Sequence, residues 1–286
     1  VVAIGLHVRL VAIELFHGLA HGLDEAIHDI GMDILEGIDF ANLDTARELV
    51  RQASAEGLSL IAFPEMFLYV GDDRAEKFRL AQTIEGGFVQ QFQKEARAHS
   101  ISILLGSFYE THPERDDRVF NTSVLLDRDG DIRAVYRKIH LCDVPVLDNL
   151  ESRHIAPGNE AVAVGHEIAR LGLTICYDLR FPGLYQALAR HGAELIFVPS
   201  AFFMETGKDH WLALLRARAI ENQVYIAAPA QWGWHYGRRS SFGNTVLIDP
   251  WGTVLAHAPE RTGLISGTID LEHLRDFRNR LPVNDQ

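Results

Sequence analysis

"LTICYDLRFPG", residues 173–183, joins an apolar run to a polar, turn-forming one and places a cysteine at the junction. Residues 171–175 read as a buried strand and residues 177–182 break the pattern. "PGLYQALARHG" (182–192) then reads as a helix opened by Pro182, which tolerates the first helical position because that N–H has no helical partner. A strand running into a helix predicts an α/β unit. Cys176 then lies near the carboxyl end of a sheet, where open α/β sheets place their sites. Amides at a helix start favour a thiolate and can hold an oxyanion. A buried structural cysteine is the other reading of that position.

The same grammar recurs outward from this stretch. Residues 60–63, 101–105, 195–198 and 224–228 are short apolar runs without strict alternation, as strands buried on both faces require. Between them lie helical patterns. In "ANLDTARELVRQASAEG" (41–57), Leu43, Ala46, Leu49, Val50 and Ala53 share a face and Gly57 stands where a stop is expected. In "KDHWLALLRARAIENQ" (208–223), Leu212, Leu215 and Ala219 do the same. Two hairpins are predicted, over residues 118–138 with a turn at Asp129-Gly130 and over 246–256 with a turn at Pro250-Trp251-Gly252. With no repeat and no linker, the chain reads as one α/β domain over residues 1–286, with helices outside and strands between helices and a second sheet. Residues 1–40 are atypical: "RLVAIELF" (9–16) is their one strand-like run, and His17, His21 and His28 lack a metal-ligand spacing.

Composition bounds the function. A formal net charge of −12 argues against a nucleic-acid groove and against anionic lipid, while local arginines can still bind a small anion. No apolar run approaches the ~20 residues that span a bilayer, and no signal-peptide pattern opens the chain. Two cysteines, Cys142 and Cys176, build neither a disulfide framework nor a zinc site and predict a reduced, cytoplasmic setting.

Three further residues stand at predicted strand ends or loops. Glu65 in "FPEMF" can act as a general base if its surroundings tune it. Lys138 in "YRKIHLCD" can stabilise negative charge developing on a carbonyl oxygen. Glu151 in "LDNLES" can orient that lysine or share proton transfer. Each alone is matched by a bland reading as a surface charge. Arg180 can bind a substrate carboxylate or close a structural ion pair, and Ser200, Ala201 and Phe202, which follow an apolar strand, are candidate pocket residues. Cys142, His140, His210 and Trp211 read as structural.

Taken together, "FPE", "YRKIHL" and "LTICYDLRFP" stand in the order and spacing of the Glu-Lys-Cys triad of the nitrilase superfamily. "ES….APG", "VPSAF…TG..HW", "LLRARAIENQ" and "DPWGTV" resemble its Nit branch of carbon–nitrogen hydrolases, and the resemblance covers about residues 42–282. It implies an α-β-β-α four-layer sandwich, paired as a homodimer. It implies Cys176 as nucleophile, Glu65 as base, Lys138 and the Tyr177 N–H as oxyanion donors, and Glu151 as second glutamate. The implied activity is thioester-forming hydrolysis of a small carboxylated amide to acid plus ammonia, with no metal or organic cofactor. "RRSSFGNTVLIDPWGTV" and "IDLEHLRDFRNRLPV" are most similar to the deaminated-glutathione amidases. ω-Amidases acting on α-ketoglutaramate or α-ketosuccinamate, N-carbamoyl amidases and nitrilases share the triad. A non-catalytic binding protein on the same fold is the rival from another class, disfavoured by the intact triad. The family's "RFPEL" reads "RFPGL" here, with Gly183.

Overall fold

The computed structural model describes residues 8–16, 40–71, 73–145, 149–235 and 239–283. Two mixed sheets form the centre. The larger runs in the order Arg239–Phe242, Gln231–His235, Val8–Phe16, Leu60–Ala62, Ser102–Thr111, Val119–Leu126 and Ile132–Arg137, with Gly263–Ile269 and Ile155–Ala156 as additional pairings. The smaller runs Val254–His257, Val246–Ile248, Tyr225–Ala228, Leu195–Phe197, Arg170–Leu173 and Val162–Gly165. The expected opening strand is present and lies inside the large sheet. Leu10, Val11 and Ala12 pair in parallel with Leu60, Ile61 and Ala62, and the other edge takes up Gly263–Ile269. The histidines at 17, 21 and 28 lie outside the described residues.

Helices α1 (Phe40–Ala55), α2 (Arg74–Leu80), α3 (Gly87–His99), α4 (Pro182–Arg190), α5 (Met204–Asn222) and α6 (Leu271–Arg280) lie outside the sheets or at their ends. Strand periodicity divides the core. Leu60, Ala62, Leu104 and Leu125 point into the cluster shared with Leu171, Leu173, Ile196 and the α4–α5 residues Leu188 and Leu215. Their neighbours Ile61, Phe63, Ile103 and Val124 point the other way, onto Ala46 and Val50 of α1 and Phe92 of α3. The period of two thus puts successive residues of one strand into two different cores. The result is the expected order of layers: helices, sheet, sheet, helices.

Local signals end the elements where the chain must turn. Gly57 follows α1 at φ +72°, and the next amide, Leu58 N–H, bonds back to Ala53 O at 3.0 Å. The two hairpin turns share one device. Asp127 Oδ1 accepts the N–H groups of Asp129 and Asp131, and Asp249 Oδ1 accepts those of Trp251 and Thr253. Gly130 and Gly252 supply the positive φ each turn needs. No helix among the described residues is long and apolar enough to cross a membrane.

Candidate active site

Three strand ends converge on one buried cluster. Glu65 follows the strand Leu60–Ala62 and is held by its backbone. The Met66 N–H donates to Ser107 Oγ at 3.0 Å, and Gln231 Nε2 donates to Glu65 O at 3.1 Å. The sheet makes room at Gly106, inside a break of register between Leu105 and Phe108. A Cβ there would lie 1.8 Å from Pro64 O. Lys138 follows the strand Ile132–Arg137 and is pinned on both sides, its N–H donating to Asn121 O and its carbonyl accepting Gly158 N–H. Cys176 opens the 3₁₀ turn Cys176–Arg180 that leads into α4. Its φ of +47° is rare for a residue with a Cβ, and its N–H is tied to Pro199 O at 2.9 Å.

The side chains meet around Lys138, which is only 2% exposed. Its Nζ donates to Glu65 Oε1 at 2.9 Å and to Glu151 Oε2 and Oε1 at 2.9 and 3.1 Å. Glu65 Oε2 accepts the Ala201 N–H at 2.9 Å, and Glu151 Oε2 accepts the Cys142 N–H at 2.6 Å. Burial pushes the Glu65 carboxyl up. The Lys138 charge and hydrogen bonds from Cys176, Lys138 and Ala201 outweigh this and hold it below the usual carboxylate value. Burial alone would depress Lys138, but the Glu151 and Glu65 charges hold it well above its ordinary value. Burial, then the Glu65 charge, push the Cys176 thiol well up against the opposing pull of Lys138. Burial and the neighbouring Glu65 carboxylate both oppose the thiolate that a helix start favours, and the thiol hydrogen-bonds to Glu65.

A cavity of about 1030 Å³ opens onto Glu65, Lys138 and Cys176. Of the other sequence candidates, Glu151, Tyr177, Arg180, Ala201 and Phe202 line it. The Arg180 guanidinium lies 5.5 Å from the Tyr177 ring centroid and 4.8 Å from that of Phe202. It also touches His210 Nδ1 at 3.3 Å. Ser200 departs from expectation as a pocket residue. It is fully buried, bridged to Ala230, and its hydroxyl donates to Val198 O at 3.0 Å. Trp211 packs against Phe202 and donates to Asn244 O, as a core residue does. At Gly183 a Cβ would meet open space, so the missing glutamate leaves no gap in the packing.

Sequence reading passed over Asn121 and Asp178. Asn121 Nδ2 donates to Glu65 Oε1 at 2.9 Å and to Glu151 Oε1 at 3.3 Å. Asp178 is fully buried and lies two residues past the cysteine. A polar side chain inside an apolar strand, and an acid inside a buried turn, were the available signals.

The carbon–nitrogen hydrolase profile matches residues 38–279. The chain belongs to the carbon–nitrogen hydrolase family. It is thus an enzyme of the nitrilase superfamily that hydrolyses C–N bonds. It is 42% identical over 248 residues to a deaminated glutathione amidase of Homo sapiens, covering 85% of this chain and 76% of that one. A Synechocystis protein of the same name is 41% identical over 246 residues, covering 84% of this chain and 90% of that one. Among solved structures, the Caenorhabditis elegans NitFhit protein superposes with a TM-score of 0.86 at 33% identity, covering 100% of this chain and 66% of that one. Saccharomyces cerevisiae Nit3, of branch 10 of the nitrilase superfamily, gives a TM-score of 0.81 at 27% identity, covering 97% and 95%.

Proposed function

We propose that this amidase hydrolyses deaminated glutathione, with Cys176 as nucleophile, Glu65 as proton carrier and Lys138 as oxyanion donor. The observation that carries this reading is the contact set around Lys138 Nζ, 2.9 Å from Glu65 and 2.9 Å from Glu151, beside the Cys176 thiol. The substrate is that of relatives 42% and 41% identical to this chain.

The chemistry follows from the protonation states. Cys176 Sγ attacks the amide carbon as its proton passes to Glu65, so no free thiolate accumulates. Lys138 faces the developing oxyanion. The Tyr177 N–H is the second donor, since the amides on either side are committed to Pro199 O and Ile175 O. The tetrahedral intermediate collapses as Glu65 returns the proton to the departing nitrogen. Water, deprotonated by Glu65, then cleaves the thioester and restores the thiol. Glu151 and Asn121 position Lys138 and Glu65. Ammonia, the product expected from the sequence, leaves from a primary amide such as α-ketoglutaramate. From deaminated glutathione, whose amides are secondary, an amine carrying the rest of the peptide leaves. Arg180, held over two rings at the cavity wall, pairs with a substrate carboxylate.

Glu65→Gln and Lys138→Ala are expected to lower kcat by ~10²-fold or more. Steady-state kinetics on deaminated glutathione check this. A change confined to KM in either variant contradicts the assigned role.

The same reading takes the chain as a single domain, active as a homodimer in the cytoplasm. Two free thiols support a reducing compartment. Exposed Leu212 and Ile220 on α5, with exposed Trp251, Val254 and Leu255, support a self-association face.

A further inference from the structure

Glu65 and Glu151 bring four carboxylate oxygens to the site, and each ionised oxygen offers about two lone-pair positions. Fixed donors take most of them. Glu151 Oε2 accepts Lys138 Nζ at 2.9 Å and the Cys142 N–H at 2.6 Å, while Glu151 Oε1 accepts Lys138 Nζ at 3.1 Å and Asn121 Nδ2 at 3.3 Å. Glu65 Oε1 accepts Lys138 Nζ and Asn121 Nδ2, both at 2.9 Å. Glu65 Oε2 accepts the Ala201 N–H at 2.9 Å and keeps one position. The Cys176 thiol, which hydrogen-bonds to Glu65, therefore falls on Oε2.

Asn121 fills the last position on both Oε1 atoms, and the fold commits it to that. It lies on the strand Val119–Leu126, between Ser102–Thr111 and Ile132–Arg137, and is 1% exposed. Its backbone carbonyl accepts the Lys138 N–H at 2.9 Å. Its side-chain NH₂ donates to both glutamates. The other end of the amide, Oδ1, is buried without a hydrogen-bond partner among the described residues, an unfavourable state for an acceptor. Turning the amide over would be worse, because Oδ1 would then face the ionised Glu65 oxygen that Nδ2 now bonds. The two glutamates thus fix the amide, and the amide decides which oxygen stays open.

We propose that Asn121 is a positioning residue that steers the proton of the reaction: by occupying Oε1 of both glutamates it leaves Glu65 Oε2 to carry the proton and keeps Glu151 out of proton transfer. This steering rests on the reading of Glu65 as proton carrier and narrows it to one atom. As the Sγ–C bond forms, the S–H bond breaks and its proton goes to Oε2, while the carbonyl electron pair moves onto the oxygen that faces Lys138. When the C–N bond breaks, Oε2 returns that proton to the departing nitrogen. Oε1 stays bonded to Lys138 and Asn121 throughout, so the carboxylate does not rotate between the two transfers.

The test follows alkylation of Cys176 by iodoacetamide against pH, read on the Cys176 peptide by mass spectrometry, in wild type, Glu65→Gln, Asn121→Leu and Asn121→Asp. Steady-state kinetics on deaminated glutathione run alongside. Lys138 and the Cys176 thiol are both held well above their ordinary values and do not titrate in the acid range. Glu151, across the lysine, is the other acid there, and Glu65→Gln separates the two. The wild-type acid limb is expected below the ordinary carboxylate value. Removing the donor, or setting an acid in its place, disfavours charge on Glu65. The limb therefore moves up by about one pH unit in both Asn121 variants, the scale of one charged hydrogen bond, and kcat falls by about tenfold or more with KM little changed. Asn121→Asp keeps the side-chain shape if the leucine variant does not fold. A limb that vanishes in Glu65→Gln but stays in place in Asn121→Asp overturns the steering role alone, as does a rise in KM with kcat retained. A limb that survives in Glu65→Gln overturns the reading of Glu65 and the steering with it.

Discussion

Asp178 joins the two segments that carry Lys138 and Cys176. Its carboxylate accepts from Tyr136 Oη at 2.6 Å and from His140 N and Nδ1 at 2.9 and 2.8 Å, two residues before and two after the lysine. It also accepts the N–H of Ile175, next to the cysteine, at 2.9 Å. The His140 ring lies flat on Phe181 at 3.7 Å and closes the clamp. Four donors on one buried acceptor can over-determine a local strain, here Cys176 at φ +47°. Asp178→Asn keeps the shape but turns an NH₂ group toward donors. Its expected effect is a fall of ~10²-fold in kcat, the scale set by a misplacement of about 1 Å, with little change in KM. Kinetics alongside circular dichroism check this. A rise in KM with kcat retained contradicts a positioning role.

At the scale of elements, what could be read from the chain was what adjacent residues encode. Gly57, Pro182 and the two Asp-x-x-Gly turns end or open elements by local rules. The apolar runs at 60–63 and 101–105 mark strands between two cores. Glu65, Lys138 and Cys176 could be picked out together through motif resemblance, because each motif is continuous. The clamp at Asp178 and the amide at Asn121 were not, since their partners lie 42 and 56 residues away. The spacing of Gly106 is of the same kind. It looks like any strand glycine until Pro64 O is found against it. Gly106→Ala must shift that backbone and with it Glu65, which follows Pro64 three residues past the strand end. The expected cost is about 1–3 kcal/mol of stability from overpacking, together with at least a tenfold loss of kcat. Denaturant melts and kinetics measure the two. Wild-type values in both contradict the close packing described here.

For the whole molecule, two sheets back to back place three strand ends at one point and leave α5 on the outside. The exposed side chains of α5 adjoin the 249–253 turn: Arg216 Nε donates to Gly252 O at 2.9 Å, and Ile220 packs over that glycine. Trp251 sits edge-on to Phe277 of α6 at 5.3 Å, so helix, turn and helix form one continuous face. Ile220→Asp is expected to convert a dimer to a monomer in sedimentation equilibrium. A dimer of unchanged affinity contradicts pairing through this face. The most direct measurement of the central claim concerns the thiol itself, the group that the sandwich buries against an ionised glutamate. Hydrolysis of deaminated glutathione is to be followed for wild type and Cys176→Ala, with the fold checked by circular dichroism. The predicted result is a fall in kcat/KM of ~10³-fold or more with an unchanged spectrum. Cleavage by Cys176→Ala within about tenfold of wild type would contradict a covalent mechanism at this cysteine.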